Sequence, residues 1–320
     1  MENKKDGRRN FIFIKEYLNK TAKKESGVTI VLFAVLMTAI MGCAAIVTDI
    51  GAAYAEKYKL SNALDAAALA AAQEIVGNAD NARQTAVSYI EKNGFKETDV
   101  EITISSDTRS VEIRGKSKVD FFFARAFGFT SVDVNATATA AALPITAATG
   151  VSPLGVQNFS FVYGNSYVLK DGAGDGVNGN FGPLSLGGTG ANTYRNNLQY
   201  GYSQKLKVGE WIKTETGNMP HPTVEGLEYL ILQCNHTPKC TIIQYNPTCP
   251  MNITLPILDT LQVNERGEVQ VIGFAKFLLQ DVVFDGGHTQ ISGWFIKHTD
   301  VGENDVNGLD RGLYSIRLVK

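Results

Sequence analysis

The chain lacks an excess of either charge. Its 320 residues include 30 Lys and Arg against 32 Asp and Glu, a formal net charge of −2. Proteins that bind nucleic acid through its phosphates need a basic surface, so no nucleic-acid partner is expected. The hydrophobic share of 44% and the charged share of 19% are those of a folded chain long enough for about two domains, and they exclude global disorder.

Signatures of common enzyme classes are also missing. The sequence contains no Gly-x-Ser-x-Gly elbow, no His-Glu-x-x-His and no Walker loop. Its four histidines lie downstream in expected loops or strand ends: His221, His236, His288 and His298. No pattern selects a catalytic set among them. We therefore expect no enzymatic activity, no cofactor and no small-molecule substrate.

Charge disappears altogether between Val28 and Thr48. At about 1.5 Å per helical residue, this uncharged run spans roughly 31 Å, the thickness of the hydrocarbon core of a bilayer. Residues 1–26 carry eight bases and four acids, whereas residues 49–77 carry two bases and four acids. Because the flank richer in Lys and Arg stays in the cytoplasm, the run predicts a single transmembrane helix. Its N-terminus is expected in the cytoplasm, and everything after Asp49 outside.

The apolar run has three alternative interpretations. A cleaved signal peptide would have a shorter apolar region, of about 7–15 residues. A lipoprotein signal would use Cys43, but apolar residues continue beyond it, and a small hydrophobe within the anchor explains this cysteine better. Processing as a minor pilin after Gly27 would require glutamate five residues later, where Leu32 stands. A retained anchor is therefore favoured over all three.

The helix is expected to continue beyond the membrane. From Val47 to Val76 there is no proline and Gly51 is the only glycine, while alanine, the best helix former, dominates. Gly77-Asn78 is a typical helix stop, so residues 28–77 predict one rod of about 50 residues, roughly 75 Å long. Leucines and alanines at spacings of three and four residues form one stripe along it: Leu60, Ala63, Leu64, Ala67, Ala68 and Ala71. The stripe would pack either on the following domain or against a partner helix.

Two short patterns follow the uncharged run, Asp49-x-Gly51-x-x-Tyr54 and Leu60-x-Asn62-Ala63-x-Asp65-Ala66-Ala67. With the apolar span before them, they resemble the N-terminal segment of TadG-like proteins of the tight-adherence (Flp) pilus system. The run from Gly179 to Leu186 resembles, more weakly, a segment of TadE/TadG-like envelope proteins. The resemblance implies a membrane-anchored component of pilus assembly or anchoring, with pilus-assembly and other envelope proteins as partners. An envelope lipoprotein or hydrolase using the C-terminal region is the alternative.

The patterns predict an α+β protein in five parts. These are a basic cytoplasmic segment (1–27), the anchor and rod (28–77), a small α/β module (78–143), a linker (144–156) and a mostly β domain (157–320). Prolines and small residues mark the linker. The expected helices are 79–93, 192–200 and 223–233, and the expected strands are 99–105, 110–119, 132–142, 159–170, 204–214 and 268–279.

Five phenylalanines crowd into one ten-residue stretch, Asp120–Phe129, which reads DFFFARAFGF. The favoured interpretation is a short helix that caps the core of the small sheet and buries the rings. An exposed hydrophobic patch that binds a partner is the alternative.

Cysteine is scarce, and three of the four cysteines lie close together: Cys234, Cys240 and Cys249. Outside the membrane a disulfide is chemically permitted, and we predict one that joins Cys234 to Cys240 or Cys249. With His236 the same residues offer four zinc ligands, but the spacing matches no standard zinc module. Four oxygen side chains in the glycine-rich run 171–180 suggest calcium, yet a tight turn explains that composition better.

Overall fold

The computed structural model describes residues 6–171, 179–261 and 267–319. Most of the glycine-rich run considered for calcium, residues 172–178, lies outside the described residues, so that interpretation stays a prediction. The fold is α+β, with a long N-terminal helix followed by a mostly β region.

The chain divides into two compact units. The first comprises residues 1–61 and 115–136, and the second comprises residues 62–114 and 137–320. Each unit therefore contains part of the long helix and part of the segment that follows it.

Four α-helices occur among the described residues: α1 Asp6–Ile75, α2 Ala79–Lys92, α3 Ala191–Tyr200 and α4 Pro220–Leu232. Two 3-10 helices span Glu97–Asp99 and Ala124–Phe127. Asn78 caps α2, because its side-chain oxygen accepts the Asp80 N–H at 2.8 Å. The predicted stop at Gly77-Asn78 and the three predicted helices after it are confirmed within a few residues.

The described residues form fourteen strands. Their bounds are β1 Val100–Ile104, β2 Ser110–Asp120, β3 Ser131–Ala148, β4 Leu154–Gln157, β5 Ser166–Asp171, β6 Asn180–Pro183, β7 Leu206–Lys207, β8 Trp211–Lys213, β9 Asn252–Leu258, β10 Glu268–Asp285, β11 His288–Ile296, β12 His298–Thr299, β13 Glu303–Asn304 and β14 Leu313–Val319. The strands predicted at 99–105, 110–119 and 268–279 are confirmed. The run predicted at 159–170 is a strand only from Ser166, and 204–214 contains two short strands.

The first sheet joins distant parts of the sequence. Its strand order is β1-β2-β3-β14-β12, and β7 and β13 also pair with β3. The C-terminal strand β14 runs antiparallel to β3, with Tyr314 opposite Pro144. The sheet therefore does not respect the predicted boundary between a module at 78–143 and a domain at 157–320.

The predicted linker 144–156 is corrected by these strands. β3 continues through it to Ala148, β4 begins at Leu154, and Val151 through Val156 are buried. Small apolar residues suit a buried strand as well as a linker, so composition alone did not separate the two.

The second sheet closes on itself and forms a barrel, which lies in the second unit. Its order is β11-β5-β6-β4-β9-β10-β8, and β11 also pairs with β10, so that six of the strands form a ring. Closure leaves no unpaired edge within that ring. Its core is mostly aliphatic, and the partly buried Phe161 packs against it by stacking on the buried Phe295 with a centroid separation of 4.0 Å. α3 and α4 pack together, and Tyr194 Oη lies 3.0 Å from Thr223 Oγ1 between them.

The alanine stripe of α1 is buried by the chain itself. Its members are no more than 1% exposed: Leu60, Ala63, Leu64, Ala67, Ala68 and Ala71. The structure therefore favours packing within the chain over contact with a partner helix. A different face of α1 has to carry any partner contact.

Candidate interaction site at the end of the apolar run

Asp49, the first charged residue after the uncharged run, is buried and fully used as an acceptor. Its Oδ1 accepts the Phe122 N–H at 2.8 Å, and its Oδ2 accepts the Phe123 and Ala124 N–H groups at 3.0 and 2.7 Å. Only 5% of Asp49 is exposed. We call this set of hydrogen bonds the aspartate latch.

The latch forms because a short helix begins where Asp49 lies. The first N–H groups of a helix have no partner inside it, and their aligned dipoles favour a negative charge. The 3-10 helix Ala124–Phe127 offers such groups, and Gly128 ends it in the left-handed conformation at φ 90°. The carboxylate therefore fixes the start of this helical turn against α1.

A second polar contact follows two helical turns further along α1. Ser117 Oγ donates to Glu56 Oε1 at 2.8 Å. Residues seven apart lie on the same helix face. Asp49 and Glu56 therefore together hold the segment from Ser117 to Ala124 to that face of α1.

The phenylalanine-rich loop projects its rings outward. Phe122 is 77% exposed, Phe127 80% and Phe129 65%. The prediction that these rings cap the core is therefore wrong, although a short helix does form there. The backbone is held by Asp49, and the side chains point away from the core. We call Phe122, Phe127 and Phe129 the aromatic patch.

An exposed face of α1 starts where the uncharged run ends. Its apolar and aromatic members, spaced three or four residues apart, are Val47, Ile50, Tyr54 and Tyr58, all more than 60% exposed. This spacing places them on one side of the helix. Gly51 lies beside them, and an added Cβ there would meet nothing within 4 Å. We call Val47, Ile50, Tyr54 and Tyr58 the exposed stripe.

The two sequence patterns thus have different roles. In the first, Asp49 holds the latch, while Gly51 and Tyr54 lie on the accessible side of α1. The second supplies core residues, with Leu60, Ala63 and Ala67 buried. Of its polar members, Asn62 is exposed and Asp65 is half-buried.

Residues 27–74 match the family model described as Putative Flp pilus-assembly TadE/G-like. This stretch is a TadE/G-like segment. The resemblance inferred from its two patterns is thereby confirmed, and it indicates involvement in Flp pilus assembly. No curated protein and no solved structure matches the chain.

The TadE/G-like segment lies within α1, whose part Gly27–Ile75 is the one helical stretch of the described residues that is long and apolar enough to cross a membrane. Its side chains from Val28 to Val47 are mostly exposed, as expected of a helix that faces lipid rather than a protein core. By length and composition it has the character of a membrane anchor.

Beyond the TadE/G-like segment, four side chains converge in the loop after α4. The sulfur atoms of Cys234, Cys240 and Cys249 and a ring nitrogen of His236 all lie within 4.8 Å of one another. His236 Nδ1 is 3.7 Å from Cys234 Sγ and 3.5 Å from Cys240 Sγ. All three thiols are buried and free, so the structure shows the cluster without the predicted disulfide.

The electrostatics of this cluster are uneven. Burial opposes ionisation of the Cys234 thiol, but hydrogen bonds from the Cys240 and His236 backbones and from the His236 ring lower its pKa to about 6. Burial raises the pKa of the Cys249 thiol to about 12. The sequence predicts all four residues as candidate metal ligands, but their convergence depends on how the loop folds.

One histidine lies against a buried carboxylate. His288 Nδ1 is 2.7 Å from Asp171 Oδ1, and Asp171 Oδ2 accepts the Thr289 N–H at 3.0 Å. Both contacts tie the start of β11 to the end of β5, which it pairs with. The pair is thus a connection within the barrel, and it is also the arrangement that orients a histidine in a hydrolase.

Proposed function

We propose that this protein is a single-pass, membrane-anchored and non-enzymatic component of Flp pilus assembly or anchoring. Its N-terminus would lie in the cytoplasm, and both the first sheet and the barrel would lie outside the cell membrane. The observation that carries the proposal is the TadE/G-like segment, residues 27–74, in which an uncharged helix is followed directly by an accessible stripe.

The charges flanking the segment support this orientation. Residues 1–26 carry a net charge of +4, from eight bases and four acids, whereas residues 49–77 carry −2, from two bases and four acids. Basic flanks remain on the cytoplasmic side during insertion. The chain after Asp49 then faces outward, where other envelope proteins are available.

The aromatic patch would strengthen the anchor. The latch holds the patch at Asp49. Asp49 directly follows Thr48, the last residue of the uncharged run, so the patch would lie near the membrane surface. Exposed rings are unfavourable in water, at roughly 25 cal/mol for each Å² of apolar surface, and favourable at the lipid interface. Phe122, Phe127 and Phe129 would contact the outer leaflet and limit tilting of the first unit.

The exposed stripe would contact the partner. Tyr54 and Tyr58 lie beyond the uncharged run, and tyrosine is enriched among the few residues that supply most of the binding energy in protein interfaces. Gly51 leaves space for close approach of a second helix. This arrangement suits a helical partner in the envelope, such as another anchored pilus-assembly protein.

Complementation of surface piliation tests the proposal. In a strain of the source organism lacking this chain, the unaltered protein should restore pili, and a Tyr54→Ala/Tyr58→Ala variant of equal abundance should not. Tyr89→Ala is the matched control, because Tyr89 is an exposed tyrosine on α2. Normal piliation in the strain lacking the chain would refute the proposed function.

The second candidate is an envelope hydrolase that uses the His288–Asp171 pair. Its geometry favours this reading, since a buried carboxylate bonded to Nδ1 orients the other ring nitrogen towards substrate. The connection of β11 to β5 accounts for the same contacts without chemistry. His288→Gln in the same complementation experiment decides between the two. Restored pili would favour the anchored assembly component, whereas loss of pili at equal protein abundance would favour a hydrolase that depends on His288.

A further inference from the structure

We propose that Cys234, His236, Cys240 and Cys249 together bind one structural zinc ion. The site lies in the barrel-bearing unit, outside the TadE/G-like segment, and it is independent of the proposed role in pilus assembly.

The distances fit a single tetrahedral ion. With Zn–S near 2.3 Å and Zn–N near 2.0–2.1 Å, tetrahedral geometry places sulfur and nitrogen ligands about 3.6 Å apart and two sulfurs about 3.8 Å apart. His236 Nδ1 lies 3.7 Å from Cys234 Sγ and 3.5 Å from Cys240 Sγ. All four ligand atoms fall within 4.8 Å of one another, so one ion can reach them with small side-chain movements.

The ligand set selects zinc over the hard cations. Three thiolates and an imidazole are soft or borderline ligands, whereas magnesium and calcium prefer oxygen. Four protein ligands complete the coordination of zinc and leave no position for a water molecule or a substrate. The ion would therefore stabilise the fold and would not catalyse a reaction.

The loop that carries the four side chains has no regular secondary structure to hold it in place. Between the end of α4 at Leu232 and the start of β9 at Asn252 the chain forms no helix or strand. Irregular loops of this length are uncommon in compact domains. The three cysteines are nevertheless 3–6% exposed and belong to the barrel core. A shared ion would hold three separate points of the loop to that core.

A neighbouring backbone group already orients one of the three sulfur atoms. The Asn246 N–H donates to Cys240 Sγ at 3.4 Å. Hydrogen bonds of this kind orient metal ligands. A disulfide would use only two of the three sulfurs, and it would leave the third thiol and His236 side by side without a shared role.

Metal titration of the full-length protein in detergent tests the site. After equilibration with zinc chloride under reducing conditions and desalting, elemental analysis should find one zinc ion per chain. Replacement with cobalt should give a thiolate charge-transfer band and the intense visible bands of a tetrahedral site. Cys249→Ser should weaken the charge-transfer band, and His236→Cys should retain tetrahedral binding. Cys43→Ser is the matched control, because Cys43 lies in the anchor, and it should bind as the unaltered chain does.

Two results would overturn the site. One is an unaltered protein that gives no tetrahedral cobalt spectrum, which decides the question even if a variant fails to fold. The other is non-reducing peptide mapping of protein isolated from cells that finds Cys234 joined to Cys240 or Cys249. Neither result bears on piliation, so failure of the zinc site leaves the proposed function to its own test.

Discussion

Asp49 Oδ2 accepts the backbone N–H of Ala124 at 2.7 Å, joining residues 75 positions apart in the chain. The same carboxylate accepts two further N–H groups, from Phe122 and Phe123. One side chain at the end of the apolar run therefore fixes both the helical turn Ala124–Phe127 and the aromatic patch that the turn carries. The position of the aromatic patch beside the end of the apolar run depends on this latch.

Asp49→Ala should release the helical turn. Three N–H groups lose a charged acceptor, and hydrogen bonds to charged groups are stronger than those between neutral groups. We expect the melting temperature to fall and the Phe122–Ala124 amides to exchange several-fold faster with deuterium. Asp285→Ala, at an exposed carboxylate of the β10–β11 hairpin, should change neither. Unchanged exchange in Asp49→Ala would show that the latch does not hold the turn.

A tryptophan placed in the aromatic patch should report lipid contact. In a background where Trp211 and Trp294 are replaced by phenylalanine, Phe127→Trp in reconstituted vesicles should fluoresce at shorter wavelength and be quenched by brominated lipids. Asn135→Trp is the control within the same unit. Asn135 is an exposed polar residue six positions after Phe129, which corresponds to about 20 Å in an extended strand. Equal quenching at both positions would contradict selective contact by the patch.

Chemical labelling should give the orientation of the anchor. Cysteines introduced one at a time by Lys20→Cys and Asn62→Cys fall on opposite sides of the uncharged run. A membrane-impermeant maleimide applied to intact protoplasts should modify residue 62 but reach residue 20 only after lysis, as read by peptide mass spectrometry. Labelling of residue 20 but not of residue 62 in intact protoplasts would show that the anchor has the opposite orientation.

His298 should make the barrel-bearing unit less stable in mild acid. Burial, reinforced by the Lys276 ammonium, holds the pKa of His298 below its usual value. As the pH falls below about 6.5 the unfolded chain takes up the proton and the folded chain resists it, so stability that is present above that pH is lost. The melting temperature of the unaltered protein should drop more between pH 7.5 and 5.5 than that of His298→Gln. His221→Gln, at an exposed histidine, should behave as the unaltered protein, and a matching drop in His298→Gln would exclude this cause.

Local signals in the sequence predicted the helical elements well. Gly77-Asn78 ends α1 where expected, and periodicity located α2, α3 and α4. Strand pairing depends on residues far apart in the chain, so neither the pairing of β14 with β3 nor the closure of β10 on β11 was predicted. The linker was misassigned because small apolar residues in 144–156 also suit a buried strand.

The candidate site was only partly visible in the sequence. The patterns around Asp49 and Tyr54 identified the TadE/G-like segment, but nothing local links Asp49 to Phe122, which lies 73 residues later. The phenylalanines were expected to be buried because apolar rings usually are. The latch reverses this by fixing the backbone and leaving the rings outside. Likewise, residue spacing does not match a standard zinc module, although the folded loop brings the four side chains together.

Photo-crosslinking in piliated cells tests the central claim most directly. A photoreactive amino acid at Tyr54 of the exposed stripe should crosslink to another anchored protein of the pilus-assembly machinery, identified by mass spectrometry, and the same group at Tyr89 should not. Crosslinks from Tyr89 but none from Tyr54, at equal protein abundance and with pili present, would contradict the account.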